Sequence, residues 1–169
     1  MSPQQLVDAR FPEDIQRLLR ETGLPPPRLE LEITESALMG SPEESRRTLL
    51  QLKSLGVRLA VDDFGTGYSS LSHLKHFPVD AVKIDRSFVQ DLDRNAGDRA
   101  LVRAIIAMAA SLGLECVAEG VETESQVQLL REMGCHLMQG YLFAHPMPYN
   151  EMPLWPSLRR IEPEHRRLH

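Results

Sequence analysis

SPEESRRTLLQLKSLGVRLAVDD, residues 41–63, holds one helix followed by one strand. Ser41 predicts an N-cap, with Pro42 in the first turn and Glu44 completing a capping box. Gly56 predicts the stop. VRLAV (57–61) is too short for another helix and reads as a buried strand. It runs into two adjacent carboxylates, Asp62 and Asp63, before the glycine-punctuated turn FGTG. Adjacent acids repel and are costly to desolvate, so a strand ending on them calls for water or for a cation between them.

The same unit recurs along the chain. PEDIQRLLRETG predicts a helix with Ile15, Leu18 and Leu19 on one face and a stop at Gly23. DRALVRAIIAMAASLG predicts another, with Leu101, Ile105, Met108 and Leu112 as its core stripe and Gly113 as terminator. TESQVQLLREMG carries a Thr123/Gln126 capping box and ends at Gly134. Between them lie short apolar runs: LELEIT (29–34), VRLAV (57–61), DAVKI (80–84), LECVA (114–118) and HLMQGYLF (136–143). Alternating β and α elements imply a parallel sheet with helices outside it.

Composition sets bounds on function. The 169 residues are 42% hydrophobic and 25% charged, with a net charge of -5 and no basic block outside the C-terminal tail. That pattern gives no support to nucleic-acid or membrane-surface binding. The longest apolar stretch, Ala104–Ala110, is too short to cross a bilayer, and the polar N-terminus is no signal peptide. Cys116 and Cys135 lack metal spacing and read as buried thiols in a reducing compartment. A soluble cytoplasmic chain is expected. Residues 1–148 read as one domain; the tail 149–169, with its arginines, reads as a solvated end.

Each expected strand finishes on a polar group. LELEIT presents Glu32 and then Glu35, VRLAV ends at Asp62 and Asp63, and DAVKI carries Lys83 with Asp85 behind it. LECVAEGVE carries Glu119 and Glu122, and HLMQGY carries Gln139. In parallel α/β folds the carboxyl ends of the strands share one face, and that face holds the site. Several carboxylates with one lysine and no histidine suit hard cations, Mg²⁺ or Mn²⁺, rather than Zn²⁺. An adjacent acid pair can serve two ions in a displacement at phosphorus. Lys83 by itself is equally a structural ion-pair partner. His73 and His76, three apart after the loop, read as surface residues. The glycines of GTG, Gly65 and Gly67, do not by themselves specify a phosphate site. Tyr68 and the serines after it are expected to start a helix.

Taken together, LELEITES, LAVDDFGTGYSSLSHLKHFPVDAVKIDRSFV, VAEGVET and MQGYLFAHPMP resemble the signature segments, in order, of the EAL family of cyclic-di-GMP phosphodiesterases. The resemblance covers Ser2 to Pro148. It implies a (β/α)₈ TIM-barrel-like fold that hydrolyses cyclic-di-GMP to pGpG with two Mg²⁺ or Mn²⁺ ions. It implies Glu32 as a first-metal ligand, Asp62 as a bridging ligand and Asp63 as a ligand of the second ion. Lys83 would hold the attacking water, and Glu119 would bind metal or water and act as general base. Glu35 and Glu122 would be supports, Glu35 anchoring the loop Phe64, Gly65, Thr66 and Gly67, and Gln139 would complete the surroundings. The family's loop also links its site to a dimer interface.

The departures carry their own expectation. The chain contains no Glu-Ala-Leu segment, and its first residues, Met1-Ser2-Pro3, begin just past the point where the resemblance would place a metal-binding asparagine. At His145 the family usually has arginine or lysine. A partial barrel lacking the first three strands, with open edges, is therefore expected, and impaired hydrolysis with it. Three readings stay open: part of a phosphodiesterase, a non-catalytic binder of cyclic-di-GMP, and an assembly module that pairs with a second copy or a complementing protein.

Overall fold

The computed structural model describes residues 1–67, 74–148 and 150. Tyr68, the serines after it, His73 and the tail, with the expectations attached to them, lie outside the described residues.

Two helices, α1 (Pro3–Val7) and α2 (Phe11–Thr22), precede the sheet. α1 was not foreseen. It carries a capping box of its own, Ser2 with Gln5, and buries Leu6. α2 ends as expected at Gly23, whose φ of 67° is the left-handed conformation that glycine adopts without a Cβ penalty. The sheet follows: β1 (Glu30–Thr34), β2 (Arg58–Phe64), β3 (Ala81–Ile84), β4 (Glu115–Ala118) and β5 (Leu137–Met138). Its spatial order is β1-β2-β3-β4-β5 and every pairing is parallel. Consecutive parallel strands that each neighbour the next are the arrangement of a barrel segment. Here the segment is open, with β1 and β5 as its edges, a partial barrel among the described residues.

The helices between the strands are α3 (Glu35–Gly40), α4 (Pro42–Ser54), α5 (Arg86–Gln90), α6 (Ala96–Leu112) and α7 (Glu124–Glu132). Their apolar faces meet the outer face of the sheet, where Leu49, Leu52, Leu59, Val61, Val82, Ile84 and Leu130 are fully buried. Alternation along β2 and β3 then turns Arg58, Ala60 and Asp62, and Ala81 and Lys83, to the inner face. At the amino-terminal end of that face Arg58 pairs with Glu30 at 3.0 Å and with Glu115, joining β1, β2 and β4.

Five local expectations need correction. Leu18 is exposed, so the buried face of α2 is Pro12, Ile15 and Leu19. β2 does not end at Val61 but runs on through Asp62 and Asp63 to Phe64. Ser41 precedes α4 but makes no side-chain cap bond, because α3 runs directly into it and leaves its backbone at φ −145°, ψ 77°. The stripe of α6 is Val102, Ile105, Ile106 and Ala109, one step around from the expected face, while Leu101 and Leu112 are exposed. These i, i+3, i+4, i+7 residues are compact enough to lie flush on β3 and β4. Finally, β5 is only Leu137–Met138, since the chain turns at Gly140, where the Phe143 N–H reaches the Gly140 carbonyl at 3.1 Å. Cys116 is half-buried and Cys135 buried, both as free thiols. No helix among the described residues is long and apolar enough to cross a membrane.

Candidate active site at the carboxyl ends of the strands

Lys83, on β3, is the centre of the site. Its side chain is 7% exposed, and its Nζ lies 2.5 Å from Glu32 Oε1, 2.5 Å from Glu119 Oε1 and 3.7 Å from Asp62 Oδ1. Glu32 comes from β1, Asp62 from β2, and Glu119 from the residue just after β4. Four neighbouring strands thus deliver three carboxylates onto one ammonium, a cluster with an excess of negative charge.

The electrostatics follow from burial and pairing. Burial alone would push the Lys83 ammonium down, but its bonds to Glu119 and Glu32 and the nearby Asp62 charge outweigh it and hold the group well above the ordinary lysine value. Glu119 is pushed up. Burial is the main cause, the Asp62 and Glu32 charges add to it, and Lys83 only partly offsets them.

The adjacent acids occupy a β-bulge. The pairing of β2 with β3 runs Ala60 to Ala81 and Val61 to Val82, then resumes at Phe64 with Ile84, so one extra residue is inserted at Asp62–Asp63. Asp63 has φ 54°. In a regular strand neighbouring side chains point to opposite faces. The bulge instead lets Asp62 address Lys83 while Asp63 addresses Asp85, two residues along the same strand direction. Asp63 is pushed up by burial and by the Asp62 and Asp85 charges. Asp85 is held below its ordinary value because the Ser87 N–H and hydroxyl bonds, and the bond from Asp63, outweigh its burial. Of the two, Asp63 is the weaker acid.

The loop after β2 is anchored by Glu35, 3% exposed, whose Oε2 accepts the Gly65 N–H at 2.9 Å. Phe64 is buried, and the Thr66 hydroxyl donates to the Asp63 carbonyl at 2.8 Å. A Cβ on Gly67 would stand 2.7 Å from Glu35 Oε1, so the glycine leaves the carboxylate the room it occupies under the loop.

The structure therefore gathers Glu32, Asp62, Lys83 and Glu119, places Asp63 beside them and Glu35 beneath the loop. Glu122 and Gln139 stand apart. Both are exposed, and among the described residues neither side chain makes a hydrogen bond or ion pair; only their backbones tie in, Glu122 N–H to Gln126 Oε1 and Gln139 N–H to the Ala118 carbonyl. Asp85, one of the strand-end polar groups, is a participant to which the sequence assigns no role. Its signal was present, since it follows β3 directly, but nothing in the spacing shows that a bulge turns Asp63 toward it. His145 is exposed and stacks on Tyr141 with ring centroids 4.4 Å apart.

Among the described residues no three or more His, Cys, Asp or Glu side chains are gathered as a metal cage, because Lys83 takes the central place. The donors themselves, all carboxylate oxygens, suit a hard divalent cation.

The EAL domain family model matches residues 1–146. The chain belongs to the EAL domain family. Cyclic di-GMP phosphodiesterase NbdA of Pseudomonas aeruginosa is 49% identical over 140 residues, which are 83% of this chain and 18% of that protein. The solved MucR phosphodiesterase, in complex with c-di-GMP, matches with a TM-score of 0.86 at 42% identity, over 90% of this chain and 62% of that one. BlrP1 of Klebsiella pneumoniae, as a manganese and cyclic-di-GMP complex, matches with a TM-score of 0.78 at 34% identity, over 84% of this chain and 36% of that one. The chain thus spans less than two thirds of each of these proteins. EAL domains have a TIM-barrel-like fold, and the five parallel strands described above are part of one.

Proposed function

We propose that this EAL chain contributes the second-half ligand set of a cyclic-di-GMP phosphodiesterase site. The observation that carries the reading is the convergence of Glu32 from β1, Asp62 from β2 and Glu119 from the end of β4 on the buried ammonium of Lys83. The complexes of MucR with c-di-GMP and of BlrP1 with manganese and cyclic-di-GMP support both the ligand and the use of a divalent cation.

Glu32, Asp62, Asp63 and Glu119 would hold the cations, Mg²⁺ or Mn²⁺, two in number. When bound, such ions lower the pKa of water and stabilise the charge that builds on the phosphodiester oxygens, giving pGpG. Lys83 remains an ammonium at neutral pH, because its pKa is raised, so it orients water as a hydrogen-bond donor and does not remove a proton. Glu119 is the residue fit to take that proton, since burial brings its basicity closer to neutral pH than that of an ordinary glutamate. Glu35 keeps the Phe64–Gly67 loop over the acids, and Glu122 and Gln139 would be supporting residues at the same end of the sheet.

The polypeptide carries neither the Glu-Ala-Leu glutamate nor the asparagine that the resemblance assigns to the metals. Alone it should hold cations weakly and hydrolyse poorly, since Mg²⁺ tolerates incomplete coordination badly. The open edges at β1 and β5 among the described residues favour a second reading, a c-di-GMP-binding or assembly module that acts as a homodimer or with a complementing protein. Calorimetric titration of c-di-GMP into the chain, with Ca²⁺ present, tests the ligand: binding supports either form of the reading, and no heat removes both ligand-binding forms.

A further inference from the structure

We propose that Gly120 and Gly140 are positioning residues that together set Glu119 against Lys83. This rests on Glu119 being a working carboxylate of the site just described, although the contact itself is independent of metal or dinucleotide.

Glu119 lies in the segment Glu119–Glu122, squeezed between the end of β3 and the end of β5. On the β3 side its N–H reaches the Ile84 carbonyl at 3.2 Å. On the β5 side the Gln139 N–H donates to Ala118 at 2.8 Å, the Val121 N–H to Gln139 at 3.0 Å, and the Leu142 N–H to Val121 at 3.1 Å. Backbone is thus stitched to backbone on both flanks.

The two glycines lie at close contacts with these flanks. A Cβ on Gly140 would stand 2.2 Å from the Val121 carbonyl oxygen and 2.3 Å from its nitrogen. A Cβ on Gly120 would stand 2.5 Å from Arg86 Cβ and 3.3 Å from Arg86 Cα, and Gly120 has φ +69°. Atoms do not pack at such distances, so a methyl at either position must move the segment. Lys83 and Glu119 meet at 2.5 Å, and a displacement of about 1 Å takes them past hydrogen-bond range. Gly113 is a contrast. It too has positive φ (+71°), yet a Cβ there meets nothing within 4 Å, so its substitution strains backbone without pushing on the site.

The test reads the Lys83 ammonium directly, in ¹H–¹⁵N spectra of the ¹⁵N-labelled 169-residue chain without metal or nucleotide. The signal is assigned by its loss in Lys83→Arg, and Glu119→Gln gives the reference for a weakened contact. Gly140→Ala and Gly120→Ala are expected to shift the Lys83 signal toward that reference, while Gly113→Ala leaves it in place even though the melting temperature falls. Arg86→Gly, added to Gly120→Ala, removes the colliding Cβ and is expected to return the signal most of the way. If Gly140→Ala does not fold, Gly120→Ala and its Arg86→Gly rescue decide the matter. An unmoved Lys83 signal in folded Gly120→Ala or Gly140→Ala, or the same shift in Gly113→Ala, overturns the proposal. Because no turnover is measured, failure of the phosphodiesterase reading would appear elsewhere, as absent c-di-GMP binding with this result intact.

Discussion

Replacing Lys83 by methionine should destabilise the protein, and the loss should shrink in acid. The substitution keeps the length and apolar stem of the side chain but leaves Glu32, Asp62 and Glu119 facing one another without a cation. Removing one partner of a fully buried pair costs about 3–5 kcal/mol. Lys83 is almost fully buried, but Glu32 is 46% exposed and water screens it, so the contact with Glu119, 19% exposed, carries most of the effect. The lower end, about 3 kcal/mol, is the expected loss at pH 7.5. For a chain of this size it corresponds to a fall of about 6–12 °C in melting temperature. In urea, with a slope of about 2 kcal/mol/M, the midpoint falls by about 1.5 M. Glu119 already sits above its ordinary value, and the loss of Lys83 moves it further up. The folded variant therefore binds a proton that the unfolded chain does not, so its stability rises as pH falls from neutral toward 4.5. Urea titrations of both proteins at pH 7.5 and 5.0 measure this. Equal stabilities at pH 7.5, or a gap that widens at pH 5.0, would refute the reasoning.

Other expectations are independent of that one. Glu119→Gln, which removes a carboxylate held unfavourably in its charged form, should leave stability unchanged or raise it at pH 7.5, with the difference fading in acid as Glu119 protonates; parallel melts at two pH values check the sign. Gly67→Ala should displace Glu35 from the Gly65 N–H, cost about 1–2 kcal/mol and speed amide exchange at Gly65, read by hydrogen exchange. Lys53→Met should destabilise by about 1–2 kcal/mol in urea melts, because the Asp80 carboxylate that Lys53 holds at 2.8 Å also accepts the Leu59 N–H. Thr48→Val removes the 2.7 Å bond to the Leu6 carbonyl, and α1 should become protease-sensitive at a cost of about 1 kcal/mol.

The alternation of strand and helix was legible because apolar runs and helix punctuation repeat; β1, β3 and β4 fall within the runs that predicted them, while β2 overlaps its run and continues through Asp62 and Asp63 to Phe64. What local patterns missed was set by neighbours in space. Ser41 looks like a cap until α3 is seen to fix its backbone, and the buried face of α6 depends on which of two adjoining stripes suits the sheet. The site was legible in part for a similar reason. Strand-end polarity singles out Glu32, Asp62, Lys83 and Glu119, since position along a parallel strand decides which face they reach. The pairing of Asp63 with Asp85 needed the bulge, and the clamps at Gly120 and Gly140 needed the distance between β4 and its neighbours. Neither leaves a periodic trace in sequence.

Cyclic-di-GMP turnover with Mn²⁺, followed by chromatography of the product, tests the central claim most directly. It is measured for the 169-residue chain alone and for the chain fused to the three-strand amino-terminal segment of a related EAL domain that carries the glutamate and asparagine. Little or no pGpG is expected from the chain alone, and sustained pGpG formation from the fusion, abolished by Glu119→Gln. Sustained hydrolysis by the chain alone, or a folded fusion that forms no pGpG, would contradict that claim.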